Sequence, residues 1–553
     1  MLESVTDHPW PAAEKDLKQK MALIESYFAA TNGFLDLYSR AELLALLPQT
    51  NNALDAPNER TAALYIAIAI GGQCRASGPL DLQYSREYFS LGQQAAFLGM
   101  VEDPSLTLTR CFILMAFYML GACRRNAAFM YLGIAAKSAY AIGLHVTEHY
   151  ASTEEDERSA HASTWRSLRV MDITLSALLG RLSGTLPNVA EPETFDSSVM
   201  ESMSLHQVYQ DAMYGAAIIM DDIFHGLLRT KSIDTVRAEE YLHKLNVWSA
   251  SLPADLRKFS RTTPLLQSDQ ELVLGKIHVA GLYYWTVMLV TRPFLFFTMT
   301  LSSKQASIPA SYNQQALAEI TTMSQVCVSA AIYFAQMCQQ ALEPGSLLNN
   351  MCMLKGWTYS AGLVLGFSMV VSDHVRYDVE EAFASAREVL QKLSSSSPQS
   401  EHYYDVLSRL ADAIAKYRQR RASESRQKHP ELVTELLTFE SGANTSTVDL
   451  LGSQTQPKSP SALAGNIQQL DASHGFGNAS TAHTTSNPIG SHSVPGHSGH
   501  MMDPTGVPTY ENLHGARMDF DTGDADGSWE AFAMQLSQTF PFDSGLEQLF
   551  QDV

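Results

Sequence analysis

The fold of this chain is decided by two stretches, AAFMYLGIAAKSAYAIGLHVTEHY (Ala127–Tyr150) and TWRSLRVMDITLSALLGRLSGTLP (Thr164–Pro187). In both stretches apolar residues recur every three or four positions, the period that places side chains on one face of an α-helix. From Trp10 to about Arg426 strand-like alternation is scarce, and breaks fall at clusters of Gly, Pro and Ser. The pattern predicts an all-α fold.

Four of the predicted helices are apolar on nearly every face, at residues 60–74, 104–122, 127–144 and 361–371. Such a helix is typical of burial between other helices. Small residues in the third helix indicate that neighbouring backbones approach it closely, and a ligand pocket at the same place is the alternative. These small residues are Gly133, Ala135, Ala136, Ala139 and Gly143.

The two stretches also carry a spaced pattern of small, aromatic and charged residues. The first reads Gly133, Ala135, Ala139, Gly143, Leu144 and His145, and the second reads Trp165, Asp172, Gly180 and Arg181. This pattern resembles the centre of the fungal-specific transcription factor domain, the helical middle region of the zinc-binuclear-cluster regulators. Arg166 stands where that family usually has a second aromatic residue, and Leu182 replaces its proline.

Further resemblances to the family follow in order, over roughly residues 20 to 420. They comprise an opening helix, a tryptophan segment with Leu-Pro, and an aromatic helix that ends in Arg-Pro-Phe. Their positions are Leu23, Ile24, Tyr27 and Phe28; Leu245, Trp248, Leu252, Pro253 and Leu256; and Tyr283, Tyr284, Arg292, Pro293 and Phe294. The resemblance implies a nuclear transcriptional regulator whose helical domain modulates activity through contacts with itself, with partners or with a small metabolite.

The charge of the chain gives no sign of a nucleic-acid-binding surface. Of the formal charge of -20, residues 441–553 hold -10, with twelve acids against Lys458 and Arg517, and residues 1–440 hold the other -10. Neither part is basic, so neither looks built to bind phosphates. The family's DNA-binding module would need six clustered cysteines with interleaved Lys and Arg.

The cysteines of this chain are dispersed through apolar segments without a Cys-x-x-Cys pair, so we interpret them as reduced core residues of an intracellular protein. The zinc cluster is absent from this chain, and no cofactor is predicted: zinc is expected only if an N-terminal cluster is missing. Met1 lies about twenty residues before the opening helix, which leaves no room for the module. Either the chain is a truncated product, which would contact promoter DNA directly when complete, or it reaches DNA through a partner. The cysteines are Cys74, Cys111, Cys123, Cys327, Cys338 and Cys352.

We predict four regions, which are a flexible N-terminus (1–14), a helical regulatory domain (15–428), a linker (429–512) and a tail (513–553). The linker holds a short amphipathic piece and is otherwise rich in Ser, Thr, Gly and His, so it cannot bury enough surface to fold. We also predict a soluble protein without membrane contact. The start lacks a signal peptide, the apolar runs are short, and the run near Ala280 is broken by Arg292 and Pro293.

The tail alternates acids with bulky apolar residues, the composition of a transcriptional activation domain. Carboxylates repel one another and keep aromatic side chains in water, where a coactivator groove captures them as a transient amphipathic helix. The alternative is a C-terminal helix that packs on the protein's own core. The predicted activation residues are Phe520, Trp529, Phe532, Phe540, Phe542, Leu546, Leu549 and Phe550.

A basic cluster ends the last predicted helix and has two interpretations. In the first, the cluster serves nuclear import or contacts phosphates. In the second, its positive charges are simply stabilised by the negative C-terminal end of the helix dipole. The cluster comprises Lys416, Arg418, Arg420, Arg421, Arg426 and Lys428.

A catalytic function finds little support in the sequence. The stretch Asp221-Asp222-Ile223-Phe224-His225 resembles the magnesium-binding Asp-Asp-x-x-Asp of all-α terpene synthases, but His225 replaces the third carboxylate and no second ligand set follows. A helix N-cap or a solvated face explains the two aspartates more simply. His145 and His278 lie on apolar helices and are interpreted as core histidines. No catalytic, metal-binding or cofactor-binding residue is predicted.

Three hypotheses therefore stand beside one another. The first is an activator in which the helical domain controls a tail that recruits coactivators. The second is a partner-dependent regulator or inhibitor without DNA binding of its own, and a homodimer stays open because the usual coiled-coil element is missing. The third, a metal-dependent all-α terpene-type enzyme, is the most remote.

Overall fold

The helices are the only regular elements beyond single turns in the residues that the structure describes, and this confirms the predicted all-α fold. A computed structural model describes residues 10–48, 59–97, 103–146, 154–186, 205–230, 234–257, 267–303, 314–371 and 375–427. The helices in these ranges are α1 (Trp10–Thr31), α2 (Arg40–Leu46), α3 (Glu59–Arg75), α4 (Pro79–Phe97), α5 (Leu106–Gly121), α6 (Arg125–Ala141), α7 (Glu155–Leu179), α8 (Leu205–Thr230), α9 (Thr235–Ser251), α10 (Gln267–Ser303), α11 (Gln314–Leu342), α12 (Cys352–Val371), α13 (Tyr377–Ser394) and α14 (Pro398–Gln427).

Several helices begin at a side chain that accepts a hydrogen bond from the first turn. Ser39 accepts from the Glu42 amide at the start of α2, and the Glu42 carboxylate accepts from the Ser39 amide in return. Ser105 caps α5 and Asp234 caps α9 in the same way, on one side only. These caps satisfy amides that have no partner within the helix.

The first half of the core forms where α1, α4 and α5 pack against α3. The approach of α1 to α3 is so close that a Cβ built on Gly71 would lie 1.9 Å from the carbonyl oxygen of Leu23. Helix α5 is buried on every face between Leu108 and Gly121, as its uniformly apolar sequence predicts. The second half joins α10, α11, α12, α13 and α14.

Helix α6 contradicts the prediction of burial on all sides. One face carries the buried Ala135, Ala136 and Ala139, but Met130 is 65% exposed on the other. Gly133 lies on this open face, where a Cβ would meet nothing within 4 Å. Close packing therefore explains the alanines and not this glycine. The apolar composition of α6 alone did not show which face of this helix the neighbouring elements leave exposed.

Helix α10 also differs from the prediction, because it does not end at Arg292 and Pro293. It continues to Ser303 with the proline inside it. Proline lacks the amide that the carbonyl four residues earlier would accept from, yet packing keeps the helix intact, since Val290, Phe294 and Leu295 are all buried.

Two helices of the described ranges, α10 and α11, are long and apolar enough to cross a membrane by length and composition alone. The most apolar windows of these two helices are 72% and 50% buried inside the fold. Core helices of a folded domain can be equally long and apolar. The packing of α10 and α11 against each other and against α12 explains their apolar composition.

The turn after α1 is held by helices that lie far away along the chain. The Asn32 side chain donates to the carbonyl of Glu271 at 2.9 Å, and its backbone carbonyl lies 2.8 Å from His278 Nδ1 on α10. His206 on α8 contacts the Asn32 amide oxygen and the Asp36 carboxylate at 2.9 and 3.2 Å. His278 is buried, as the sequence predicted, and Asn32 thus joins α1 to both α8 and α10.

The buried His278 predicts a loss of stability in acid. Burial lowers its pKa to about 4, against the weaker opposing effect of its hydrogen bond to Asn32. Between pH 6.5 and 4 the unfolded state therefore binds the extra proton, so the free energy of unfolding falls as the pH falls through this window, by roughly 3 kcal/mol from this group. His278→Gln, which keeps a donor for the Asn32 carbonyl, is expected to remove this component in urea unfolding measured across the window.

His206 is the matched control, with the opposite sign. Burial alone would lower its pKa, but the hydrogen bond and charge of Asp36 raise it above the usual value. Its contribution to stability is complete below the unfolded pKa and is lost as the pH rises through the folded pKa. His206→Gln should therefore lower the stability below about pH 6.5 and have its smallest effect above the folded pKa, and a change of slope between pH 6.5 and 4 equal to that of His278→Gln would contradict the assignment.

Candidate regulatory centre

The end of α6 explains why glycine and leucine follow each other at positions 143 and 144. Gly143 adopts φ 75°, a left-handed conformation that favours glycine. The Leu144 amide then donates to the Ala139 carbonyl at 2.9 Å, and the Gly143 amide to the Tyr140 carbonyl at 3.1 Å. Leu144 is fully buried. This helix-terminating turn needs glycine for its backbone and a large apolar residue directly after it.

His145 lies just beyond this turn and not on an apolar helix, which corrects its interpretation as a core histidine. It is half-buried, and its ring packs edge-on against Tyr140 with centroids 4.8 Å apart. The Trp165 ring of α7 lies 6.2 Å from His145 and 5.9 Å from Tyr140. The three rings join the end of α6 to α7.

The end of α7 repeats the turn and directs the chain back along α6. Gly180 has φ 66°, and its amide and that of Arg181 both donate to the Ser176 carbonyl. The Arg181 guanidinium donates to Asn126 Oδ1 at 2.7 Å and lies 4.9 Å above the Phe129 ring. Arg181 therefore holds the segment after α7 at the beginning of α6.

Residues 181–186 then run beside α6 towards its other end. A Cβ on Gly184 would lie 3.6 Å from that of Ala136, and the Leu186 amide donates to the Tyr140 hydroxyl at 2.7 Å. Leu182, which replaces the proline of the family pattern, is 69% exposed on this segment, and Leu186 is 68% exposed. Contacts at both ends and in the middle place the segment along the helix.

Asp172 of α7 holds the segment 181–186 in place through hydrogen bonds. Its Oδ2 accepts hydrogen bonds from both the amide and the hydroxyl of Thr185, each at 2.7 Å. Asp172 is 2% exposed, and burial raises its pKa although the bonds from Thr185 and the charge of Arg169 act in the opposite direction. The aspartate in the middle of α7 thus binds the segment that follows this helix.

A buried ion pair completes the group, which we call the polar centre: Arg169, Asp172, Thr185 and Asp221. Arg169 Nη1 donates to the Thr185 carbonyl at 3.1 Å, and both terminal nitrogens lie 3.4 Å from Asp221 Oδ2. The Arg169 and Asp221 side chains are 1% and 4% exposed. The polar centre therefore ties α7, the segment 181–186 and α8 together inside the fold.

The position of Asp221 contradicts its interpretation as an N-cap or a solvated residue. It lies in the middle of α8, facing the core, with His225 Nε2 at 3.9 Å on the next turn. The interpretation holds for Asp222, which is exposed and paired with Lys244 of α9 at 2.5 Å. The two carboxylates have different surroundings: that of Asp221 pairs with Arg169 inside the fold, and that of Asp222 is exposed.

No three His, Cys, Asp or Glu side chains are grouped so as to hold a metal ion within the ranges that the structure describes. The six cysteines all lie in those ranges and are free thiols. Cys123 departs from the prediction, because it lies in the turn between α5 and α6 and not inside a helix.

The basic cluster at the end of α14 divides into two kinds of residue. Arg418 is ion-paired with Glu380 of α13 and donates to the carbonyl of Met369, so it holds the last helices together. Lys416, Arg420 and Arg421 are exposed. The Arg426 side chain, Lys428 and all eight predicted activation residues lie outside the described residues.

Comparison with known proteins supports the resemblance that the motif residues indicate. Residues 24–209 match the model of the fungal specific transcription factor domain. Residues 24–209 of the chain are similar to this domain. A fungal protein, Filamentous growth regulator 27 of Candida albicans, is 24% identical over 256 residues, which are 44% of this chain and 32% of the relative. The chain thus matches about a third of the length of this curated relative.

The fungal transcription factor domain match runs from the middle of α1 to the first turns of α8. It includes the motif positions of α6 and α7 and three members of the polar centre, Arg169, Asp172 and Thr185. Asp221 lies beyond the matched range, as do the segments around Trp248 and Arg292. The buried partner of Arg169 therefore belongs to a part of the fold that the match does not cover.

Proposed function

We propose that this chain is a fungal transcriptional activator in which the helical domain controls an acidic C-terminal tail. The match to the fungal specific transcription factor domain and the similarity to a fungal growth regulator support the broader role in transcription regulation. The composition of the tail carries the activator role. Residues 513–553 alternate carboxylates with Trp529, Phe540 and Phe550, so aromatic side chains stay in water until a coactivator binds them.

DNA contact in this proposal comes from a zinc cluster outside this chain or from a DNA-binding partner. The formal charge of the chain is -20, which disfavours binding of the duplex by its own surface. Coactivators are the proposed partners of the tail, and the nucleus is the proposed location. The exposed Lys416, Arg420 and Arg421 offer an import signal. Imaging the full chain in fungal cells tests the location.

A reporter assay tests the activator role directly. Residues 441–553 fused to a heterologous DNA-binding domain are expected to drive transcription, because aromatic groups in an acidic segment supply the coactivator contact. A variant with Trp529, Phe532, Phe540, Phe542, Leu549 and Phe550 changed to Ala is expected to lose most of the signal.

The matched control changes the linker histidines instead. A variant with His474, His483, His492, His497 and His500 changed to Ala alters nearly as many residues of the same fusion and leaves the acidic, aromatic segment intact. It should keep the signal. Silence of the unaltered fusion, or equal loss in both variants, would exclude the activator role.

An exposed apolar surface favours the second candidate, a regulator that acts through a partner. Met130 of α6 and Leu182 and Leu186 of the neighbouring segment are all more than half exposed, on two elements that run side by side. Surfaces of this kind occur where proteins associate. Under this candidate the tail fusion stays silent, and Met130→Asp with Leu182→Asp releases the chain from a full-length regulator in co-purification.

A further inference from the structure

The amine of Lys355 is buried on α12 without a carboxylate partner in the described part of the chain. The residue is 1% exposed. Its Nζ lies 3.3 Å from the carbonyl oxygen of Gly121, 3.4 Å from Asn350 Oδ1 and 3.2 Å from Ser397 Oγ. All three are neutral groups. Since buried lysines are normally paired with an acid, a structural ion pair does not account for this position.

The fourth neighbour of this amine is a thiol. Sγ of Cys123 lies 3.4 Å from Lys355 Nζ, and Ser397 Oγ lies 3.7 Å from the same sulfur. Cys123, in the turn between α5 and α6, is half-buried, whereas Lys355 is almost fully buried. Its backbone has φ 63°, a left-handed conformation that is uncommon for a residue other than glycine.

Two further thiols near Lys355 are set apart from Cys123 by their surroundings. Burial raises the pKa of Cys352 to about 11, and burial raises the pKa of Cys74 still further. Both stay protonated near neutral pH, and the thiolate is the form that reacts with oxidants. Cys123 is therefore distinguished among the three by its direct contact with Nζ.

We propose that Cys123 and Lys355 form a peroxide-responsive pair, in which oxidation of the thiol leads to a covalent sulfur–nitrogen bond between the two side chains. The site lies apart from the polar centre and does not depend on the activator role of the tail. The contact between Sγ and Nζ in the folded protein supplies the proximity that such a condensation requires.

The reaction takes a hydroperoxide as its oxidant and proceeds in two steps. In the first, Sγ attacks one peroxide oxygen, the O–O bond breaks, and hydrogen peroxide leaves as one water while sulfur becomes a sulfenic acid. In the second, the Lys355 ammonium gives up one proton by way of the partly exposed Cys123 turn, and its neutral amine attacks this sulfur. The S–N bond forms, the S–O bond breaks, and the second water leaves. A sulfenic acid is known to condense with nitrogen in this way.

The expected consequence is a reversible clamp inside the fold. The new bond joins the α5–α6 turn to α12 across a separation of 232 residues. A crosslink that closes a long loop restricts the unfolded chain and raises the temperature of unfolding. A small thiol reverses it by attack on sulfur, which restores the amine and leaves a mixed disulfide for further reduction.

Peptide mass mapping of the full chain after treatment with hydrogen peroxide tests the proposal. We expect a peptide pair that joins Cys123 to Lys355 and is about two daltons lighter than the sum of its parts, because two hydrogens are lost. Dithiothreitol should remove the pair. The thermal unfolding temperature should rise with peroxide and return with dithiothreitol.

Two matched variants assign the signal. Cys123→Ser keeps the size of the side chain and should abolish the crosslink and the thermal shift. Cys352→Ser removes a neighbouring thiol and should leave both unchanged. A disulfide between Cys123 and another cysteine, sulfinic acid at Cys123 without crosslink, a crosslink that retains oxygen, or no reaction at Cys123 would each overturn the proposal.

Discussion

Asp221→Ala is expected to lower the free energy of unfolding by about 3 to 5 kcal/mol, because it leaves the Arg169 guanidinium buried without its counter-charge. The pair lies inside the fold, with both side chains almost fully covered. Removing one member of such a pair is costly, since the remaining charge stays without hydration and loses the carboxylate closest to its terminal nitrogens. Urea unfolding at neutral pH measures the loss.

The neighbouring carboxylate provides the control. Asp222→Ala removes the same group one position along α8, where it is exposed and paired with Lys244. That variant should stay within about 0.5 kcal/mol of the parent. The double variant Arg169→Met, Asp221→Leu should regain most of the lost stability, because an apolar pair of similar size needs no charge compensation. Additive losses in the double variant would show that the two side chains act independently.

Gly71→Ala is expected to destabilise the protein by about 3 kcal/mol, at the upper end of the effects of overpacking. The added Cβ would lie 1.9 Å from the carbonyl oxygen of Leu23 and 2.6 Å from its carbonyl carbon. A backbone cannot rotate away as a side chain does, so α1 and α3 must separate. Thermal and urea unfolding both measure the effect.

Gly133→Ala is the same substitution in a different setting. Gly133 lies inside α6, and an added Cβ meets nothing within 4 Å. Alanine loses less backbone entropy than glycine on entering a helix, so this variant should be more stable by roughly 0.5 to 1 kcal/mol. Similar signs for the two substitutions would contradict the packing described for α1 and α3.

The local features of the fold could be predicted from the sequence because they depend on residues that are close together along the chain. The period of apolar residues predicted the helices. Gly143 was interpreted as a small residue that lets neighbouring backbones approach, whereas in the structure it ends α6 in the left-handed conformation that glycine adopts. The prediction that α10 ends at Pro293 was wrong because the continuation of this helix depends on distant residues. Burial of residues on both sides of the proline outweighs its local preference, and the local sequence does not report that burial.

The polar centre depends on residues that are distant in sequence, so its pairing was not predicted. Arg169 meets Asp221 across 52 positions. One signal was nevertheless present: Arg169 and Asp172 interrupt an otherwise apolar face of α7, and Asp221 lies between Met220 and Ile223 on α8. Charges on buried apolar faces require partners of opposite sign. With three such charges on two helices, the possible pairings are few.

The hydrogen bonds of Asn32 to α10 determine when the N-terminal half can finish folding during synthesis. Its partners Glu271 and His278 follow 239 and 246 residues later. At a ribosomal rate of about 5 to 20 residues per second, α1 and its turn wait roughly 10 to 50 seconds for the helix that completes them. The nascent chain exposes this surface to chaperones throughout that interval, and a fragment cut to residues 24–209 never acquires its missing partners. The range recognised as a family domain is thus shorter than the unit that folds.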